Sequence, residues 1–131
     1  MEKICEVKNL KKSYGGFSLE DVSFFLEKGS ITGFVGRNGA GKSTLINHIS
    51  NFFSNQKKLY LANTHPAVDN MRRKVTASNR EFNTIASFIS EKNQHTECYV
   101  LIIDECSTVS NSDMRKVLEK ATFKLLVLVG D

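Results

Sequence analysis

Residues 36–43 read Gly-Arg-Asn-Gly-Ala-Gly-Lys-Ser and satisfy the pattern G-x-x-x-x-G-K-[ST] at every position. No other feature of the chain limits its fold as strongly. Such a loop works only between a buried strand and the N-terminus of a helix, and both flanks are written that way. An apolar run, Ile31 to Val35, enters it, and a helical pattern, Thr44 to Phe53, leaves it. Gly36, Gly39 and Gly41 allow positive φ and close approach to a phosphate, which their Cβ-free backbone tolerates. Successive N–H groups of Arg37, Asn38, Ala40 and their neighbours would then form an anion nest, reinforced by the helix dipole. Lys42 would carry an ammonium to the β- and γ-phosphates, and Ser43 a hydroxyl to Mg²⁺.

A second element agrees with the first. About 60 residues further on, the apolar run Tyr99 to Ile103 ends in Asp104-Glu105. In a phosphate-loop site the first carboxylate holds Mg²⁺ and the second can orient the attacking water. Two acids at the end of a solvent-facing strand are the plainer reading of the pair taken alone; downstream of a complete loop the functional one is preferred.

The chain before the loop reads as two strands over residues 4–27, with a turn at Tyr14-Gly15-Gly16 and another at Lys28-Gly29. After the loop, Leu45, Ile46, Ile49, Phe52 and Phe53 fall on one helical face. Lys57 to Ala62 is a short strand, with Leu59 and Leu61 alternating. Pro66 suits a first helical position, and Val68, Met71, Arg72 and Val75 follow it at helical spacing. Ser78-Asn79-Arg80-Glu81 matches a capping box and predicts a helix with Phe82, Ile85, Ala86 and Ile89 inward. Residues 93–97 read as a polar loop. Ser110 to Asp113 predicts a further cap, opening a helix with Met114, Val117, Leu118 and Ala121 inward, and Lys124 to Val129 is a last strand. Alternation of strands and helices predicts a single α/β domain with a parallel sheet built from strands 30–35, 58–62, 99–103 and 124–129. Ligand belongs outside the carboxyl ends of such strands, where the loop and Asp104 both lie.

Composition excludes little but orients the rest. The 131 residues are 40% hydrophobic and 24% charged, with a net charge of +4. Residues 51–97 hold seven Lys/Arg against four Asp/Glu, a basic stretch able to meet nucleic acid or simply a solvated surface. No apolar run approaches the ~18 residues of a membrane span. The N-terminus carries no signal-peptide pattern, and Cys5, Cys98 and Cys106 make no metal-spaced pair, so a cytoplasmic setting is expected. Tyr14 either stacks on a base or packs locally in its hairpin. Gly130-Asp131, at the end of the last strand, either senses a γ-phosphate or frays.

Two resemblances emerge from these residues. The stretch VKNLKKSYGGFSLEDVSFFLEKGSITGFVGRNGAGKSTLI, up to about residue 46, resembles the start of an ABC-transporter ATP-binding domain. That likeness implies an antiparallel hairpin over 1–29, adenine stacking at Tyr14, and phosphate contacts from Asn38, Gly39, Gly41, Lys42, Ser43 and Thr44. The chain departs from that family further on, with no LSGGQ-type signature, switch glutamine or His after the last strand. From about residue 44 it resembles instead the first RecA-like domain of a superfamily 1 helicase, through LYLANTHPAVDNMRRKV, YVLIIDECSTVSNSDM and LLVLVGD, the start of a GD-x-x-Q motif. This implies a three-layer αβα P-loop NTPase core of strand order 1-4-3-2, with the loop strand as 1. It places metal binding on Asp104, water activation on Glu105, and single-stranded nucleic-acid contact on Thr64, His65, Asn70 and Arg72. Taken together the likenesses imply a chimera joined at the phosphate loop, binding ATP with Mg²⁺ and hydrolysing it slowly at most, without transport or unwinding of its own. The alternatives are a nucleotide- or phosphate-binding module without turnover and a single-stranded nucleic-acid-binding helicase fragment. The hairpin edge, with Phe17, Phe24 and Phe25, is expected to favour self-association.

Overall fold

The computed structural model describes residues 3–14, 17–27, 31–35, 42–91 and 95–130, with side chains from Leu45 onward. The phosphate loop, Gly36 to Gly41, lies outside the described residues, as does Asp131.

Two long strands, β1 (Lys3–Tyr14) and β2 (Phe17–Glu27), pair antiparallel as a two-stranded sheet, with Tyr14 opposite Phe17 at the tip. The main sheet follows. Its strands are β3 (Ile31–Val35), β4 (Lys58–Ala62), β5 (Arg80–Thr84), β7 (Val100–Ile103) and β9 (Leu125–Gly130). They lie in the order β3-β9-β7-β4-β5, and every neighbouring pair is parallel. Among the described residues, four helices connect them: α1 (Lys42–Phe52), α2 (His65–Lys74), α3 (Ile85–Ser90) and α4 (Asn111–Lys120).

The layering follows from the two-residue period of a strand, which sends successive side chains to opposite faces. In β4, Tyr60 and Ala62 join a core with Ile46, Ile49, Phe53, Val68 and Met71 from α1 and α2. Leu59 and Leu61 join the opposite core with Ile85, Phe88 and Val117 from α3 and α4. Helices therefore cover both faces of a parallel sheet, and β4, flanked by β7 and β5, is buried throughout.

Several expectations need correction. The capping-box match at Ser78–Glu81 does not open a helix. Residues 80–84 form β5, and α3 starts only at Ile85, where Thr84 is the cap and its side chain accepts from the Ser87 N–H. The reason is tertiary. Ser78 Oγ and Asn79 Nδ2 both donate to the Ser54 carbonyl, at 3.0 and 2.7 Å, so Ser78 is occupied elsewhere. Asn79 takes a left-handed φ of 55°, which asparagine tolerates, and its carbonyl accepts from Lys58 N–H at 2.9 Å. The chain then runs beside β4, where Phe82 stacks on Tyr60 with ring centroids 4.7 Å apart.

Periodicity also overstated three faces. Phe52 is 56% exposed and Leu118 36% exposed, and Ala86 faces solvent. Arg72, at helical spacing with Val68 and Met71, is exposed and paired with Asp69 at 3.0 Å. The polar segment before Tyr99 contains a short strand, β6 (Thr96–Glu97), paired with β8 (Ala121–Thr122), so Ala121 is buried at the end of α4 in a ladder rather than on its helical face. The expected helix start at Pro66 and the expected cap at Ser110 hold, and Thr64 is a cap not named from the sequence. Thr64 accepts from Ala67 N–H at the start of α2, with Pro66 in its first positions, and Ser110 accepts from Asp113 N–H at the start of α4.

Candidate nucleotide site

Because the main sheet is parallel, all its carboxyl ends lie along one edge. Val35, the last residue before the phosphate loop, sits opposite Gly130 of β9, and Ile103 of β7 sits opposite Leu128. The loop strand and the strand bearing Asp104 are thus separated by one strand only, roughly 9–10 Å at ordinary strand spacing. Lys42, Ser43 and Thr44 form the first turn of α1 by their backbone, on the far side of the loop. Sequence reasoning placed the loop and the acidic pair at one site, and the described backbone brings both flanks of the loop and Asp104 to one edge. The side chains of Tyr14, Lys42, Ser43 and Thr44 lie outside the described residues, as do Gly36, Arg37, Asn38, Gly39, Ala40 and Gly41 entirely.

The acidic pair has a defined local geometry. Asp104 is half-buried; its N–H donates to the Leu61 carbonyl at 2.9 Å, extending the β7–β4 ladder by one bond. Its Oδ1 accepts from the Glu105 N–H at 2.9 Å. Glu105 is exposed and left-handed, with φ 51° and ψ 44°. A residue with a Cβ holds that conformation only where its neighbours impose it. A single 3-10 turn, Cys106–Thr108, follows. Thr108 closes it by donating twice to the Glu105 carbonyl, from its N–H at 2.9 Å and its hydroxyl at 2.7 Å.

Two supports at this edge were not assigned from the sequence: Asn63 was not singled out, and Gly130 was read only with Asp131 as a γ-phosphate sensor or a frayed end. Asn63, just past β4, donates from Nδ2 to the Thr108 carbonyl at 3.1 Å and so ties the acidic turn to the neighbouring strand end. Gly130 lies under the same turn, and a Cβ there would stand 3.0 Å from Cys106 Sγ. The one signal for both was position, each being at the polar end of an apolar run. Of the residues expected to touch nucleic acid, Thr64 and His65 sit at this edge, exposed, with Thr64 also capping α2. Asn70 and Arg72 lie further along α2, hydrogen-bonded to Arg73 and Asp69 respectively.

As to metal, the residues expected from the sequence to hold it, Asp104 and Ser43, would offer hard oxygens, which suit Mg²⁺. Among the described residues no group of three or more His, Cys, Asp or Glu gathers as a cation cage. A magnesium held by one carboxylate, one hydroxyl and substrate phosphates needs no such cage, so the donor set fits.

A strand, a phosphate loop, a helix, and an acidic pair one strand away define a P-loop nucleoside triphosphatase domain. Residues 21–131 match the family described as AAA domain, and the chain belongs to that family. Shorter stretches match named relatives. The energy-dependent translational throttle protein EttA of Escherichia coli is 54% identical over 50 residues, 37% of this chain and 9% of that protein. The tungstate uptake system ATP-binding protein TupC of Peptoclostridium acidaminophilum is 62% identical over 45 residues, 34% of this chain and 21% of that protein. The petrobactin import ATP-binding protein YclP of Bacillus subtilis is 54% identical over 48 residues, covering 36% and 19%. The chain thus spans between 9% and 21% of these relatives' length. Among the described residues no helix is long and apolar enough to cross a membrane.

Proposed function

We propose that this domain binds ATP with Mg²⁺ at the carboxyl edge of its sheet and hydrolyses it slowly. The observation that carries the reading is the spacing of the two halves of the site. A complete phosphate-loop sequence leaves β3, and Asp104-Glu105 leaves β7, with only β9 between them. The names of TupC and YclP describe ATP-binding proteins, which supports the choice of nucleotide.

In this reading Lys42 and the loop amides hold the phosphates, with Tyr14 against the base and Thr44 at the helix start. Ser43 and Asp104 would hold Mg²⁺, which neutralises charge on the phosphates when bound. Glu105 orients the attacking water and accepts its proton. Its exposure at the sheet edge leaves the carboxylate accessible to solvent and substrate. An arginine supplied by a partner raises turnover at such sites by roughly 10³–10⁵, so the domain by itself is expected to be slow. Glu105→Gln separates the roles, retaining ATP binding while abolishing phosphate release. A variant that turns over like the parent would remove Glu105 from the chemistry.

The ancestry of the chain is a finer proposal. Relatives of the ABC type match stretches of 50 residues or fewer, whereas the AAA domain match runs over 21–131. A joint at about residues 44–46 between an ABC-like beginning and a helicase-like remainder rests on the motifs alone, since the AAA domain match runs across it. A second activity, single-strand binding, is favoured by the exposed Arg72, Arg73 and Lys74 in the last turn of α2. It predicts binding that weakens as salt rises, and salt-independent or absent binding would sink it. The free thiols Cys98 and Cys106 suit the cytoplasmic setting we propose.

A further inference from the structure

Gly130 ends β9 and is buried beneath the turn that carries Glu105. A Cβ added there would meet Cys106 Sγ at 3.0 Å and the backbone nitrogens of Cys106 and Ser107 at 3.7 Å. The two nitrogen contacts are ordinary, but the sulfur contact is tight enough that Cys106 would have to yield by a few tenths of an ångström. Cys106 is the residue after Glu105, and Glu105 is already in a conformation its neighbours must enforce.

Those neighbours grip the turn from the other sides. Asp104 Oδ1 holds the Glu105 N–H, Thr108 holds the Glu105 carbonyl twice, and Asn63 holds the Thr108 carbonyl. With the hydrogen bonds fixing the turn from β7 and β4, the floor on the β9 side is the bare backbone of Gly130. We propose that Gly130 is a positioning residue for Glu105: its missing side chain lets the Cys106–Thr108 turn seat on the end of β9, which sets the place of the Glu105 carboxylate. The inference rests on the reading of Glu105 as the group that orients water. Displacement matters there because about 1 Å of misplacement can cost roughly 10²-fold in rate, so a few tenths of an ångström carries a smaller but measurable loss.

The test uses the full chain and four proteins: the parent, Gly130→Ala, Cys106→Ala and the double variant. ATP affinity, kcat, and the Glu105 Cα and Cβ NMR shifts are measured for each. Gly130→Ala should lower kcat about tenfold, as a sub-ångström misplacement does. ATP affinity should stay at the parental value, and the Glu105 shifts should move away from left-handed values. Cys106→Ala should behave as the parent, and the double variant should recover both rate and shifts, because the clash is with the sulfur. If Gly130→Ala does not fold, Cys106→Val crowds the contact from the turn side and should slow kcat in the same way. Parental kcat and shifts in the crowded variants, or a double variant as slow as Gly130→Ala, would overturn the proposal. Should Glu105→Gln turn over like the parent, the functional reading fails, while the shifts still decide whether Gly130 places Glu105.

Discussion

Lys58 Nζ donates to the Phe53 carbonyl at 2.7 Å from a position fully shielded from solvent. It donates also to the Gln56 carbonyl at 2.9 Å. The end of α1 leaves carbonyls without intrahelical partners and carries the negative end of the helix dipole. Lys58, at the head of strand β4, closes that end from inside the protein. The same helix points its N-terminus at the phosphate loop, so one buried ammonium anchors the far end of the element that faces the proposed ligand.

Replacing that ammonium should be costly. Lys58→Met keeps the length of the side chain but removes two charge-assisted hydrogen bonds, leaving the Phe53 carbonyl only the Gln56 N–H at 2.9 Å, a loss of about 2 kcal/mol. Urea unfolding measures it, and a variant as stable as the parent would show that water serves these carbonyls equally well.

High pH should destabilise the protein through Cys98 and Tyr60. Burial pushes the Cys98 thiol from 9.0 to about 11. Burial likewise pushes the Tyr60 hydroxyl from 10.0 to about 12, although its bond to Ser50 Oγ at 2.7 Å works against the rise. Both groups keep their protons longer in the folded state. Their contribution is therefore complete below the unfolded values and lost as pH rises, over 9–11 for Cys98 and 10–12 for Tyr60. Lys58 acts with the opposite sign. Burial lowers its pKa from 10.5, so stability gains with pH in the window just below that value. Two losses against one gain predict a net fall above pH 9, with Cys98→Ala flattening the lower part and Tyr60→Phe the upper. Each contributes at most about 2–3 kcal/mol, taking two units at 1.36 kcal/mol per unit. Urea unfolding at steps from pH 8 to 12 gives the curve, and one that stays flat in the parent would contradict the burial of both groups.

The displaced helix start can be tested by mutation. Thr84→Ala removes the side chain that accepts from Ser87 N–H at 3.2 Å and should cost about 1 kcal/mol. Glu81→Ala removes only an exposed ion pair with Lys57, at 3.5 Å, and should change stability by less than about 0.5 kcal/mol. Thermal unfolding of the two variants should rank them in that order; the reverse ranking would restore the capping box at Ser78–Glu81.

These cases show which parts of the fold could be read from the chain. Helical faces such as Ile46, Ile49 and Phe53 announce themselves because a 3.6-residue period is a local property. The margins of a face are not local, which is why Phe52 and Leu118 turned out exposed. β5 was hidden because Ser78 and Asn79 bond to Ser54, 24 and 25 residues away, and Phe82 has its ring partner in β4. The candidate site divides in the same way. Its chemistry-bearing residues, Lys42, Ser43, Asp104 and Glu105, carry motifs written within a few positions. Its supports do not, since Asn63 reaches Thr108 across 45 residues and Gly130 meets Cys106 only through the sheet order.

Calorimetric titration of the parent and Lys42→Ala with ATP, with and without Mg²⁺, tests the central claim most directly. The account predicts saturable, Mg²⁺-strengthened binding by the parent, and binding at least about tenfold weaker once the phosphate-facing ammonium is gone. Equal affinity in the two proteins, or no binding by the parent, would contradict it.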